Sequence, residues 1–305
     1  MRRALAVLAA LVAMLVTAQT AVAPTDIPAS GPPEAVLDAG TAPLPLSLHL
    51  GAPDSVRDAF TRPPRAGLLF DVDTGRVLWR RRPARRLPIA SLTKMMTALV
   101  AVRRIAPGAK VPITRAALAY EGSGVGLLPK GRRIGISTML HGLLLASGND
   151  AAIAIAQRGA GSVPAFVAAM NARAARMGLP CTHFASPHGL EAGDRSCAAD
   201  LGALARAVLR EPRLAAIVAR PTAVLPFPTR GGRLWLSNHN PLLRMGYRGT
   251  TGVKTGYTVR AGRCLVATVR RRGIHLGVVL LGSIDPGRQA RHLLDRGFAA
   301  HAGAR

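Results

Sequence analysis

Short apolar runs with turn residues between them lie near both ends of the chain, and apolar residues at helical spacing fill the middle. Ala66 to Val72 and Arg76 to Trp79 flank Asp73-Thr74-Gly75, a pattern that predicts a β-hairpin. Pro88-Ile89-Ala90 then leads into an apolar-periodic run through Val102, read as a helix whose first turn carries Ser91. Further helices are expected over Ile136 to Ala146, with Ser147 at the end, and over Ala151 to Gln157, capped by Asn149-Asp150. Val163 to Met177 and Ala198 to Leu209 repeat the helical spacing. Beyond Pro221 the pattern returns to strands: Arg233 to Leu236, then Cys264 to Val269 and Ile274 to Leu281 as a hairpin. A last helix is expected over Gln289 to Phe298. Strands at both ends with helices between them imply an α+β fold, one mainly antiparallel sheet with an inserted all-helical subdomain at about 92–220.

The N-terminus changes this picture. Arg2 and Arg3 precede an apolar run from Ala4 to Val16, and Ala21-Val22-Ala23 offers small residues to a signal peptidase. The run is short for a bilayer span. Residues 1–23 are therefore expected to be a signal peptide cleaved near Ala23, with an uncleaved anchor as the alternative. The protein is expected in the periplasm or outside the cell. Residues 24–64, rich in Pro, Ala and Gly, read as a tether or irregular arm, and 65–300 as the folded domain.

Composition adds a basic charge. With 41 Lys+Arg against 15 Asp+Glu the formal net charge is +26. Export and the scattering of the arginines argue against nucleic acid as partner. The densest runs are Arg80 to Arg82 with Arg85-Arg86, and Arg270-Arg271-Arg272. An anionic envelope or wall polymer is the natural counterpart of such a field, and a genome-wide arginine bias is the plain alternative. Cys181 and Cys197 can pair across their loop, leaving Cys264 in an apolar strand. A metal site of Cys181, His183, His188 and Cys197 fits no common zinc spacing.

Three short motifs supply the chemistry. Ser91-Leu92-Thr93-Lys94 puts a hydroxyl and an amine one turn apart on one face. Burial and a second cation, for which Lys254 is the candidate, would depress the Lys94 pKa and let it act as general base toward Ser91. Ser147-Gly148-Asn149 offers a hydroxyl to relay a proton and an amide to hold Lys94 or a substrate carbonyl. In Lys254-Thr255-Gly256-Tyr257, Lys254 and Thr255 present a charge and a donor suited to a carboxylate. Gly256 would clear the strand edge for substrate pairing. The backbone N–H groups of Ser91 and Tyr257 could form an oxyanion hole. Each motif alone reads better as an ordinary helix start, an N-cap turn or a glycine-rich turn.

In order and context, the motifs make the chain resemble the serine-type D-alanyl-D-alanine carboxypeptidases, the low-molecular-mass penicillin-binding proteins. The resemblance extends to Asp73-Thr74-Gly75, to Ala90 through Thr97, to Leu145 through Ala152, and to Thr182-His183-Phe184 with Pro187-His188-Gly189-Leu190. It continues through Gly252 to Tyr257 and Ala261 to Leu265, and covers roughly Ala66 to Phe298. It implies a β-lactamase/DD-peptidase-like fold and removal of the terminal D-Ala from peptidoglycan stem pentapeptides through an acyl-enzyme at Ser91. It also implies β-lactam antibiotics as inhibitors and no cofactor or metal; membrane association that is peripheral at most is expected from this chain's departure from relatives that carry a membrane helix. An arginine after the last strand often meets the terminal carboxylate in such enzymes, which points to Arg288 ahead of Arg291. The chain ends soon after Phe298, so the C-terminal β domain and anchor of many relatives are not expected. A β-lactamase is disfavoured because Glu191-Ala192-Gly193-Asp194 lacks the asparagine of one lactamase class. An endopeptidase would use the same groups on a larger substrate. A non-catalytic envelope-binding protein of the same fold is the remaining alternative, disfavoured because Ser91, Lys94, Ser147 and Lys254 are all present.

Overall fold

The computed structural model describes residues 46–228 and 232–302. The expected signal peptide and the first part of the arm lie outside the described residues. The centre is a five-stranded antiparallel sheet in the order Val77–Arg81, Ala66–Asp71, Ile274–Ser283, Gly262–Arg271, Thr250–Thr258. Both hairpins that the apolar runs predict are present, and they join side by side. Ala66–Asp71 pairs with Ile274–Ser283 across some two hundred residues of chain.

The apolar runs are continuous because this sheet is covered on both faces. Leu68, Phe70, Val266, Val279 and Leu281 pack toward the helices of the middle segment. Their strand neighbours Leu69, Leu265, Val278 and Leu280 pack toward Leu293 and Leu294 of the C-terminal helix, Pro286–Ala302. Alternate side chains thus enter two cores. The middle segment carries the helices Lys94–Arg104, Ile136–Leu144, Asn149–Ala160, Val163–Arg176, Ala198–Arg210 and Pro212–Val218, with short two-stranded pieces between them. Arg233–Ser237 pairs with Thr222–Pro226 rather than joining the central sheet. No single helix among the described residues is long and apolar enough to cross a membrane.

Residues 46–64 are irregular but docked, not a free tether. Leu46 and Val56 are buried, Phe60 meets Trp79 edge to face, and Asp54 pairs with Arg80. The buried Arg206 guanidinium donates to the carbonyls of Leu46, Ser47, Val72 and Asp73, so it fastens the segment to the first hairpin. Cys181 and Cys197 form a disulfide, and Cys264 is a free, buried thiol. With both sulfurs joined, the Cys181/Cys197 pair offers no thiolate to a metal. The nearby Asp200 accepts from the Cys181 N–H and the Thr182 hydroxyl.

Candidate active site

Ser91 lies in a 3₁₀ turn, Ala90–Thr93, which leads into the helix Lys94–Arg104. The expected α-helical first turn is therefore tighter than the periodicity implies. In 3₁₀ geometry residues i and i+3 eclipse, and this sets Lys94 Nζ 2.8 Å from Ser91 Oγ. Ala90, just before the nucleophile, has φ +49°, a conformation that L side chains rarely adopt. Close packing holds the turn there. A Cβ at Gly189 would lie 2.0 Å from the Ala90 carbonyl oxygen, and one at Gly256 would lie 2.9 Å from the Ile89 carbonyl oxygen and 3.0 Å from Ser91 N. Gly256 thus serves the approach of the edge strand to the nucleophile turn. The same glycine lines the cleft, so this packing constraint stands beside the expected clearing of the strand edge for substrate.

Lys94 is fully buried. Its Nζ also donates to Asn149 Oδ1 at 2.6 Å and to the His188 carbonyl at 2.9 Å. Burial holds the Lys94 pKa well below the ordinary lysine value, and the nearby Lys254 pushes it further down, against Asp194 and Asp150. A neutral amine has two N–H donors and one lone pair. Asn149 and His188 offer only acceptor oxygens to it, so its lone pair is left for the Ser91 hydroxyl.

The His188 carbonyl is aimed by its loop. Buried Asp194 accepts from the N–H groups of Ala185, Ser186 and Glu191 and from the Ser186 hydroxyl. Burial raises the Asp194 pKa, opposed by those same hydrogen bonds. Asp150 does a similar task on the other side, accepting from Val125 N and Gly126 N of the loop that carries Ser123. The helix Asn149–Ala160 has Gly148 at its N-cap, so Asn149 does not cap it. Its amide oxygen accepts from Lys94 and one of its two N–H groups donates to the Glu121 carbonyl, which leaves the second N–H for a substrate carbonyl. Ser147 stands at φ +61° with a buried Oγ that has no hydrogen-bond partner among the described residues.

Lys254, Thr255, Gly256 and Tyr257 lie on Thr250–Thr258, the edge strand beside the nucleophile turn. Lys254 is 1 % exposed, donates to the Thr255 carbonyl at 3.1 Å, and has its pKa pulled down by burial to about 7. A cleft of about 500 Å³ runs along this strand, lined by Ser91, Ser123, Ser147, Thr255, Gly256 and Tyr257, and on its far wall by Arg263 and Asp285 to Gly287. Arg288 is not brought to it. Its side chain is 89 % exposed and leans on Asp285, while Arg291 faces Asp295. The guanidinium on the cleft wall is that of Arg263, opposite Tyr257 in the ladder, where it donates to the Ile284 carbonyl. Sequence reasoning missed Arg263, Asp150, Asp194 and the His188 carbonyl. Arg263 had one signal: it stands in the strand directly after the third motif.

Residues 61–284 match the D-alanyl-D-alanine carboxypeptidase family pattern. Among curated proteins, the D-alanyl-D-alanine carboxypeptidase DacF of Bacillus subtilis is 34% identical over 246 residues, 78% of this chain. DacB2 of Mycobacterium tuberculosis is 36% identical over 246 residues. The chain spans 62% of the length of the Bacillus protein and 83% of the mycobacterial one. A solved D-alanyl-D-alanine carboxypeptidase from M. tuberculosis superposes with a TM-score of 0.74 at 35% identity, covering 80% of this chain and 94% of that one. By matched pattern, identity and fold, this chain belongs to the D-alanyl-D-alanine carboxypeptidase family of serine peptidases.

Proposed function

We propose that the protein is an exported, penicillin-sensitive serine D-Ala-D-Ala carboxypeptidase that trims peptidoglycan stem peptides. The observation that carries this reading is the Lys94 Nζ–Ser91 Oγ contact of 2.8 Å, with the other two partners of the amine both oxygen acceptors. Ser91 Oγ attacks the carbonyl of the penultimate D-Ala as its proton passes to the Lys94 lone pair. The oxyanion is met by the N–H groups of Ser91 and Tyr257. The C–N bond then breaks, and the leaving D-Ala nitrogen takes the proton from Lys94 relayed through Ser147 Oγ, which has no hydrogen-bond partner among the described residues. Water then attacks the acyl carbonyl as its proton passes to the neutral Lys94 amine, and the amine returns that proton to Ser91 Oγ as the ester C–O bond breaks. Thr255 and Arg263 suit the substrate carboxylate, since a guanidinium fork matches its two oxygens. β-Lactams would be trapped at the acyl stage by the same groups.

D-Alanine release from a diacyl-Lys-D-Ala-D-Ala peptide, with Ser91→Ala as control, tests the reading. Release that vanishes in the variant supports it. Penicillin captured on Ser91 without release would move the reading to an endopeptidase acting on crosslinks, and neither signal would refute an acyl-serine enzyme.

A further inference from the structure

The arginine run at residues 270–272 has no part in the cleft chemistry. It lies at the opposite end of Gly262–Arg271 from Arg263, about 25 Å away at the rise of a strand. There the described residues enclose a second cavity of about 940 Å³, lined by Arg248, Arg270, Arg271, Arg272, Phe298 and His301. Two of its cations, Arg270 and Arg271, are held in place. The Arg271 guanidinium lies 4.1 Å from the Tyr247 ring centroid and 5.0 Å from that of Phe298. Its Nε donates to the Arg248 carbonyl at 2.9 Å. Arg272 takes φ +47° in a turn with Gly273, a left-handed position that Asn, Asp or Gly fills more readily.

The local charge does not cancel. Asp73 is engaged by Arg270 at 3.0 Å, and Asp295 faces Arg271 at 3.7 Å while also serving Arg291 and the Tyr247 hydroxyl. Arg248 and Arg272 have no carboxylate partner among the described residues. A roomy cavity with several guanidinium forks and surplus positive charge suits a multiply charged anion with many oxygens. We infer that this cavity is a second binding site, distinct from the catalytic cleft, for a phosphate-bearing anion. Such a site would hold the enzyme on phosphate-rich envelope material while the cleft works on peptide.

Calorimetric titration of the mature chain with tripolyphosphate at physiological ionic strength tests this, alongside co-sedimentation with phosphatidylglycerol–phosphatidylcholine vesicles. Arg248→Ala/Arg272→Ala should weaken tripolyphosphate binding roughly tenfold or more, the scale of two lost charge-assisted contacts. The charge-matched pair Arg103→Ala/Arg104→Ala, on another exposed surface, should change it less than about twofold, as expected for screened distant charges. Arg272→Asn, which suits the turn, separates lost binding from lost folding. Vesicle binding that falls in the site variant only would identify a lipid headgroup as the source. Tripolyphosphate binding without vesicle binding would identify a polymer or free phosphate. Equal weakening in both pairs, or no saturable binding by the wild type, would overturn the inference.

Discussion

A buried amine with one hydrogen bond among the described residues should cost the fold stability, and Lys254 allows the cost to be measured. Its pKa falls from 10.5 to about 7 on burial. The difference of roughly 3.5, at 1.36 kcal/mol for each pH step, amounts to about 5 kcal/mol. Because the folded pKa is lowered, the unfolded chain holds the proton more tightly. The penalty is complete below about pH 7, shrinks as pH rises from 7 toward 10.5, and is absent above that window. Lys254→Met keeps the length and removes the amine. At pH 6 it should unfold later than wild type by about 10–20 °C, taking 2–4 °C for each kcal/mol in a domain of this size. The gain should fade between pH 7 and pH 10. The same variant should lose D-alanine release, and its residual penicillin acylation should need higher pH because Lys94 has lost a neighbouring cation. Paired thermal scans by circular dichroism from pH 6 to pH 10 give the result. Equal or lower stability of the variant at pH 6, or a difference that ignores pH, would refute this account of the amine.

Acylation of the wild type by penicillin should rise with pH as Lys94 loses its proton and then level off, and Lys94→Ala should be slower by about 10²–10⁴; stopped-flow acylation as fast as wild type would remove Lys94 as base. Arg263→Ala should raise KM for the peptide roughly 10–100-fold, the worth of a charged hydrogen bond, whereas Arg288→Ala should leave it unchanged; the opposite ranking would return the carboxylate to Arg288. Gly256→Ala forces a methyl against the Ile89 and Ser91 backbone, so urea unfolding should show a loss of about 1–3 kcal/mol and acylation should drop more than tenfold as Ser91 is displaced.

The order of elements and the identity of the chemical groups were legible along the chain. Ser91, Lys94, Ser147, Asn149, Lys254 and Thr255 stand in motifs whose residue types already limit the chemistry, and the paired apolar runs at each end called for one shared sheet. Local patterning determines this much because burial selects for apolar periodicity and catalysis needs particular atoms. The tertiary structure decided which groups meet. The packing of the Asn149 helix against the Lys94 helix is what brings the amide oxygen to the amine. The His188 carbonyl reaches Lys94 across 94 residues, and every residue has a carbonyl, so no residue type marks it. Arg263 and Arg288 are alike as side chains. Strand register turns the first toward the cleft, and its place on an exposed helix start turns the second to water. The lowered lysine pKa values belong wholly to the folded state, since burial and the nearness of two cations exist only once the edge strand lies against the nucleophile turn.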